Sequence, residues 1–370
     1  MVVDSEVQRI ARLTPLHDVL ASFDIGVAPA APREQDVRAA IGLTLAADVV
    51  IAEARPRQPI ALRDGYALRA EATADASSYA PAPLVPAPPR IDLGEPMPAD
   101  ADAAATLDAV SVTGTRSEAL AILAPGDGVL PAGGDIAAGT KLLLSGARLR
   151  RIDVALLSIF GVERVVVRQP RVRVVRVSPG DIVGGAAILI TNAINAESGF
   201  AQTGSTSLEA ALKDDGVDAV VAIGGTGSGR NDASVRTLAR LGKVAFHGIA
   251  IAPGETTALG YVDERPVLLL PGRMDAALAG WLTVGRRMLA RLAFRLIEEQ
   301  PFAAELARKV ASPLGLAEVI PVRRRLGRVE PVATGYLSLH ALARAEGWIL
   351  VPADSEGHAE GSRVVVRPWP

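Results

Sequence analysis

The stretch from Val217 to Asp232 constrains the fold of this chain more than any other part of the sequence. It contains a run of β-branched and small apolar residues, Val220 to Ile223, followed by four glycines before Asp232. Such a run predicts a buried parallel strand, and glycines directly after it predict a tight loop at the strand's carboxyl end. With the helix predicted from Asp232 to Leu241, the stretch forms a strand–loop–helix unit of an α/β domain.

The glycine-rich loop after this strand predicts a site for an anion. Glycines let peptide N–H groups approach a ligand closely, and threonine and serine hydroxyls are able to hydrogen-bond to it. We also expect the positive end of the following helix to face the ligand. The predicted ligand-binding residues of the loop are Gly224, Gly225, Thr226, Gly227, Ser228 and Gly229. A plain tight turn is the alternative interpretation of the same residues.

The loop matches neither of two common nucleotide-binding motifs. No Lys-Ser or Lys-Thr pair follows the last glycine, which excludes a Walker loop. No acidic residue stands at the distance expected for a dinucleotide fingerprint. The residues of this stretch alone therefore leave the identity of the ligand open.

The totals of the sequence exclude several classes of function. With 39 basic and 41 acidic residues, the net charge of -2 gives no general attraction to nucleic acid or to an anionic membrane. The chain has no cysteine, which excludes disulfides and thiolate chemistry. No stretch reaches the ~20 apolar residues of a membrane span. The start has no signal-peptide pattern, so we expect a cytoplasmic protein.

The 370 residues are enough for roughly two to four domains, and the pattern changes along the chain. The start is helical, with a helix beginning near Thr14 and another predicted from Val37 to Leu45. A stretch rich in proline, alanine and aspartate, residues 71–132, predicts a small β-rich insertion. Strands and helices alternate after Pro170, which predicts a mainly parallel sheet between helices. Short strands in residues 302–370 predict a final β domain.

Four loops follow predicted strands of the α/β part. Because the carboxyl ends of parallel strands share one edge of the sheet, we expect these loops to converge there. A helix is predicted only from Ile188, so the first of these loops is expected to extend to Gly185. The loops are Ser178–Asp181, Gly224–Gly229, Pro253–Thr257 and Pro271–Arg273.

The order of these parts and their loops resembles the molybdopterin molybdenumtransferase family, the MoeA-like or gephyrin E-domain proteins. Arg63-Asp64-Gly65-Tyr66-Ala67 is similar to the family's Met-Asp-Gly-Tyr-Ala, and Val112-Thr113-Gly114-Thr115 to its Met-Thr-Gly-Ala. The loop from Ile223 to Asp232 is similar to Ser-Gly-Gly-Val-Ser-Val-Gly-x-x-Asp. Ala252–Thr256 stands where Lys-Pro-Gly-Lys-Pro is usual, and Leu270–Met274 where Leu-Pro-Gly-Asn-Pro is usual.

The resemblance implies a multidomain fold of the α/β plus β class. Residues 1–50 and 138–170 would form an elongated N-terminal dimerisation domain, and residues 51–137 a β-rich inserted domain. Residues 171–300 would form a three-layer α/β molybdopterin-binding domain, and residues 301–370 a C-terminal β-barrel-like domain. The resemblance also implies a homodimer, with the cleft between the α/β domain of one subunit and the elongated and inserted regions of the other.

The reaction implied is the insertion of molybdate into adenylated molybdopterin with release of AMP, in the presence of Mg²⁺. The implied catalytic residues are Asp64, Thr113 and Asp232, and the implied Mg²⁺ ligands are Asp64, Asp181 and Asp232. Besides the glycine loop, the implied cofactor-binding residues are Ser178, Gly180, Pro253, Gly254, Thr256, Pro271, Gly272 and Arg273. The implied partners are the pterin substrate, a second copy of the chain, and molybdoenzymes or their chaperones, with no nucleic acid and no membrane.

The sequence departs from the family pattern in places that bear on activity. Ser178–Ile182 stands where Thr-Gly-Asp-Glu-Leu is usual and lacks the glutamate, and both lysines of the Lys-Pro-Gly-Lys-Pro loop are replaced, by Ala252 and Glu255. Arg230 and Arg273 are new cations near the same edge. Two hypotheses follow: a divergent molybdenum insertase, which we favour, or a non-catalytic carrier or regulatory protein that binds molybdopterin or its cofactor.

Overall fold

The N-terminal part of the protein is a helix followed by short strands. The computed structural model describes residues 8–295 and 301–369. The first elements are α1 (Leu16–Gly26), β1 (Arg33–Asp36), β2 (Thr44–Leu45) and β3 (Val49–Val50). The predicted helix from Val37 to Leu45 is wrong. The segment makes only one 3₁₀ turn, at Val37–Ala39, because Gly42 takes a left-handed conformation with φ +81° and the chain then enters β2.

The inserted region is built mainly from short antiparallel strands and turns, as its composition predicts, with 3₁₀ turns at Ala70–Thr73 and Leu107–Ala109. It forms two three-stranded sheets, β7-β5-β8 and β6-β10-β9, and a two-stranded ladder of β4 with β11. Its strands are β4 (Ile60–Ala61), β5 (Gly65–Leu68), β6 (Ala82–Pro83), β7 (Arg90–Ile91), β8 (Ala103–Thr106), β9 (Val110–Thr113), β10 (Arg116–Ala119) and β11 (Val129–Leu130).

After the insertion the chain returns to the N-terminal part. It adds β12 (Lys141–Leu143), α2 (Arg151–Ile159) and β13 (Arg164–Arg168). β13 lies between β1 and β2 and is antiparallel to both, and β12 pairs with β3. Leu45, Leu149 and Leu157 are fully buried in the small core that these elements share.

The α/β part contains a six-stranded sheet of order β15-β14-β16-β20-β19-β17. The first four strands in this order are parallel, and the hairpin-linked β19 and the edge strand β17 continue the sheet with antiparallel pairing. The elements are β14 (Arg171–Arg176), α3 (Asp181–Ala196), β15 (Phe200–Gln202), α4 (Leu208–Lys213), β16 (Ala219–Ile223), α5 (Ser234–Leu241), β17 (Lys243–His247), β18 (Ile251–Ala252), β19 (Ala258–Val262), β20 (Arg265–Leu270), α6 (Met274–Gly280) and α7 (Arg286–Leu292).

The sheet is the middle of three layers. Along β16, Val221 and Ile223 belong to one buried core, whereas Val220 and Ala222 belong to the other, because successive side chains of a strand point to opposite faces. The first core also holds residues of α3, α6 and α7, and the second holds residues of α4 and α5. The apolar run therefore forms the buried strand that its sequence predicts.

The predicted start of α3 is wrong. The helix begins at Asp181, and Gly184 and Gly185, predicted to be loop residues, lie in its first two turns. A Cβ at Gly184 would lie 3.6 Å from the Arg176 side chain and one at Gly185 would lie 3.9 Å from Met274, which are ordinary contact distances. After β20 the chain continues through α6, a π-helical turn at Trp281–Gly285 and α7.

The C-terminal part is a barrel-like β domain. β23 pairs with β24 and β25, β25 with β27, and β27 with β21, and a bridge between Leu306 and Val329 brings the two ends of this order together. The elements are β21 (Phe302–Glu305), β22 (Val310–Ala311), β23 (Ala317–Arg325), β24 (Arg328–Pro331), α8 (Leu339–Arg344), β25 (Gly347–Val351), β26 (Gly357–His358) and β27 (Arg363–Pro368). β18, which precedes β19 in the chain, pairs in parallel with β23.

The parts are joined by packing as well as by the chain. Leu16, Val19 and Phe23 of α1 belong to the same core as α3 and α7, so the first helix packs on the α/β part. The domain boundaries at residues 51, 138, 171 and 301 stay predictions. No helix within residues 8–295 and 301–369 has the length and apolarity to span a bilayer.

Candidate functional site

The glycine loop after β16 makes a tight turn that no other residue type would allow. Gly224 and Gly225 have φ values of +102° and +73°, in the region that only glycine adopts readily. A Cβ at Gly224 would lie 2.7 Å from the Ser178 hydroxyl, and one at Gly225 would lie 2.5 Å from the Ser234 hydroxyl. The two glycines therefore serve both the backbone conformation and the close approach of neighbouring segments.

The other predicted loops meet the glycine loop at this edge. A Cβ built on Gly272 would lie 3.6 Å from the Cα of Gly224, so the segment Pro271–Arg273 is in backbone contact with the turn. The hydroxyls of Thr226 and Thr256 are 2.9 Å apart and share a hydrogen bond, which joins the Pro253–Thr256 segment to the same loop. The predicted convergence of the four loops is confirmed.

The helix that follows the loop does not offer its N-terminus to a ligand. The side-chain oxygen of Gln8 accepts hydrogen bonds from the N–H groups of Val235 and Arg236, at 2.9 and 3.1 Å. Ser234 N–H donates to the Gly225 carbonyl. The N–H of Thr237, which follows the two amides bound by Gln8, donates to the Ala233 carbonyl. The expectation that α5 faces the anion is therefore wrong, because its orphan N–H groups already have partners.

The first turn of α3 is the open helix end at this edge. Gly180 precedes the helix with φ +115°, and no side chain caps it. Within the described residues, the N–H groups of Asp181, Ile182 and Val183 donate no hydrogen bond. A helix of 16 residues with open N-terminal amides attracts an anion through those amides and through its dipole. Ser178, directly before this turn, adds a hydroxyl.

In the segment Ala252–Thr256, which lacks both lysines of the family pattern, the Glu255 carboxylate occupies a backbone amide of the same segment. Glu255 accepts a hydrogen bond from the Gly254 N–H at 3.0 Å, so this amide is not available to an anion. Ala252 is buried at the end of β18, where a charged side chain would have to leave water. Compared with the family pattern, this side of the cleft has gained negative charge.

Arg273 lies at the contact of the α/β part with the C-terminal part. Its Nε donates to Asp275 at 3.1 Å, and its guanidinium carbon lies 5.0 Å from the centre of the Tyr336 ring. The hydrogen bond to Asp275, whose side chain is 3% exposed, raises the pKa of Arg273. Asp275 also accepts from Leu337 N–H at 3.3 Å. The cation is therefore partly neutralised, although its side chain remains 59% exposed.

The predicted acidic residues do not form a metal site within one chain. Asp232 accepts from Gly229 N–H at 3.1 Å and so closes the glycine loop, and Asp181 lies exposed at the start of α3. Asp64 lies exposed in the inserted region, where it accepts from Leu93 N–H at 2.7 Å. Thr113 is exposed at the end of β9. Among the described residues, no three or more His, Cys, Asp or Glu side chains are grouped so as to hold a metal.

Three family models match consecutive parts of the chain. Residues 3–161 match the MoeA N-terminal region (domains I and II), and residues 303–369 match the MoeA C-terminal region (domain IV). Between them, residues 202–291 match the model described as "Probable molybdopterin binding domain". The chain belongs to the MoeA family. Residues 162–201, which contain the divergent segment Ser178–Ile182, lie between the first two matches.

Individual proteins agree with this family membership. The molybdopterin molybdenumtransferase 2 of Mycobacterium tuberculosis is 28% identical over 88% of this chain and 92% of its own length. A Methanocaldococcus jannaschii protein whose name places it in molybdopterin biosynthesis is 31% identical, but over 40% of this chain and 36% of its own length. The crystal structure of the molybdopterin biosynthesis MoeA protein of Pyrococcus horikoshii superposes with a TM-score of 0.80 and 27% identity, covering 96% of this chain and 99% of that one.

Proposed function

We propose that this MoeA-family chain is a molybdopterin molybdenumtransferase, an enzyme of molybdenum cofactor biosynthesis that inserts molybdate into adenylated molybdopterin and releases AMP. The observation that carries the proposal is the meeting of four substrate-loop segments at one edge of the sheet, with Thr226 bonded to Thr256 and Gly272 against Gly224. A non-catalytic carrier is not favoured, because the matched relative over most of the chain is named as the transferase.

The chain's own residues have distinct parts in this proposal. The open amides at the start of α3, from Asp181 to Val183, and the hydroxyl of Ser178 bind a phosphate or molybdate oxygen. Asp232 holds the glycine loop closed through Gly229. Pro253 and Pro271 fix the backbone of the two flanking segments, since proline restricts φ.

Mg²⁺ and the second subunit remain part of the proposal. Mg²⁺, which prefers oxygen ligands, would neutralise charge on the phosphate when bound. Within residues 8–295 and 301–369 of one chain, no three acidic or histidine side chains are grouped to hold it. In a homodimer, Asp64 and Thr113 of the inserted region would come from the other subunit, where they would meet Asp181 and Asp232. We propose a cytoplasmic homodimer, with molybdoenzymes or their chaperones as the receivers of the product.

A single-turnover assay tests the function. The full chain with adenylated molybdopterin, molybdate and Mg²⁺ should release AMP, and Asp232→Ala should abolish release while leaving pterin binding measurable. Asp215→Ala is the matched control, because Asp215 is an exposed aspartate between α4 and β16, at the opposite edge of the sheet. If the wild-type chain binds the pterin and releases no AMP, the enzyme assignment fails.

A further inference from the structure

The segment Gln8–Thr14, which we call the N-terminal strap, lies along the α/β part. Thr14 N–H donates to the Gly248 carbonyl at 2.9 Å, and Ala250 N–H donates to the Thr14 carbonyl at 2.8 Å. Ile10 occupies the space beside Gly248, which a Cβ there would fill. These contacts fix the strap beside β17 and direct its first described residue toward the glycine loop.

Gln8 is buried at the end of the strap and uses its whole carboxamide. The residue is only 7% exposed to solvent. Nε2 donates to the carbonyls of Gly225 and Gly227 at 3.0 and 2.9 Å, and Oε1 accepts from the first amides of α5. Both donors and both lone pairs of the amide are therefore in use. The Ser234 hydroxyl donates to the Gly224 carbonyl and the His247 ring contacts the Thr226 carbonyl, whereas Gln8 is the one described side chain that donates to the carbonyls of Gly225 and Gly227.

The orientation of the two carbonyls decides where the loop's N–H groups point. In a planar trans peptide, the N–H of one residue points opposite to the carbonyl of the residue before it. Because the carbonyls of Gly225 and Gly227 point toward Gln8, the N–H groups of Thr226 and Ser228 point away from it. Within the described part of the chain, neither N–H donates a hydrogen bond.

We propose that Gln8 is a positioning residue that presents the N–H groups of Thr226 and Ser228 to the anionic ligand of the cleft. The strap thereby replaces, with oriented peptide dipoles, part of the positive character that the flanking loop lost with its lysines. The inference uses the proposed function only to name the ligand as molybdopterin.

Two substitutions separate this role from simple capping of α5. Gln8→Glu keeps an acceptor for the amides of Val235 and Arg236 but places a second oxygen against the two carbonyls, whereas Gln8→Ala removes both interactions. We expect both variants to bind molybdopterin about tenfold more weakly, the loss of about one hydrogen bond to a charged group. Hydrogen exchange at Val235 and Arg236 should rise in Gln8→Ala and stay unchanged in Gln8→Glu.

The control removes a glutamine elsewhere. Gln35→Ala, in β1 of the N-terminal part, should change neither pterin binding nor exchange at α5. A Gln8→Glu variant that binds molybdopterin like the wild type would overturn the inference.

A crystal structure of Gln8→Glu gives a readout without ligand. The peptide between Gly227 and Ser228 should be reoriented, since carboxylate and carbonyl oxygens repel each other and Gln8 is the one described group that donates to the Gly227 carbonyl. The Gly225 carbonyl also accepts from Ser234 N–H and is held by that bond. If the wild-type chain fails to bind molybdopterin, the proposed function fails, and this structure still decides the role of Gln8. An unchanged Gly227 carbonyl facing position 8 in that structure would overturn the inference.

Discussion

The hydroxyls of Thr226 and Thr256 lie 2.9 Å apart, and their hydrogen bond is the direct polar link between the glycine loop and the segment that follows β18. Thr226 is 2% exposed, so its hydroxyl has little access to water as a substitute partner. The two loops that would hold one ligand therefore share a partly buried hydrogen bond before any ligand arrives.

Replacing Thr226 with valine tests this link. The variant keeps the shape of the side chain and leaves the Thr256 hydroxyl without its partner, so we expect a loss of about 1 to 2 kcal/mol in the free energy of unfolding. A double-mutant cycle with Thr256→Val, measured by urea denaturation, should give a coupling of about 1 kcal/mol. Thr140→Val, at an exposed threonine of the N-terminal part, is the control. Additive effects of the two substitutions would contradict the link.

Glu255→Lys should strengthen anion binding. The substitution removes the carboxylate that occupies the Gly254 N–H and supplies one of the two missing cations. Since a hydrogen bond to a charged group contributes about 1.5 to 3 kcal/mol, we expect affinity for molybdopterin to rise about tenfold or more, with a stronger dependence on salt. Isothermal titration at two ionic strengths measures this.

The matched control for Glu255→Lys is Glu264→Lys. Glu264 is exposed in the turn between β19 and β20, on the other side of the sheet. The Glu264→Lys substitution changes the net charge by the same amount and leaves the cleft unchanged. Equal gains in affinity from both variants would mean that the overall charge, and not the loop, controls binding.

Gly224→Ala should disable the cleft. The new methyl group would meet Ser178, and alanine is strained at a φ of +102°. We expect a destabilisation of about 2 kcal/mol or more and loss of pterin binding. Gly204→Ala is the control, because Gly204 follows β15 at the same edge and nothing lies within 4 Å of its Cβ position. Normal pterin binding by Gly224→Ala would show that the close approach of Gly224 to Ser178 is not needed for the cleft.

Asp153→Asn should lower stability in a pH-dependent way. Asp153 lies in the first turn of α2, and its hydrogen bond with the Arg150 side chain holds the pKa of this carboxyl below 3.8. A carboxyl with a lowered pKa in the folded state stabilises the protein above its unfolded pKa, and this stabilisation disappears as the pH falls through the folded value. We expect a loss of about 1 kcal/mol at pH 7 that shrinks as the pH falls below the ordinary carboxyl pKa of about 3.9, measured by thermal unfolding. A constant difference between the two proteins over this range would be the contrary result.

The parts of the fold that the sequence predicts well are those set by local pattern. β16, Ala219–Ile223, extends the predicted run Val220–Ile223 by one residue, and the run is a reliable signal because a continuous apolar run is needed only in a strand buried on both faces. The predicted start of α3 lies too late in the sequence, because Gly184 and Gly185 have a low helix propensity but lie inside the helix.

The site shows the same division between local and long-range information. The turn at Gly224 and Gly225 follows from glycine chemistry, so its place at the sheet edge could be predicted. The contact of Gln8 with Gly227 joins residues 219 positions apart, and nothing in the sequence around Gln8 distinguishes it from a surface glutamine. The sequence therefore points to the N-terminus of α5 as the helix end that faces an anion, whereas in the structure the open helix end is that of α3.

The strand Ile251–Ala252 adds to the edge of the C-terminal barrel, with Ile251 opposite Ala317, and the ligand segment starts at the very next residue. A protein shortened before Ala317 would leave these two residues as a bare strand edge beside the pterin loop. The C-terminal barrel therefore supports the Pro253–Thr257 segment, and we expect its removal to disturb one side of the cleft.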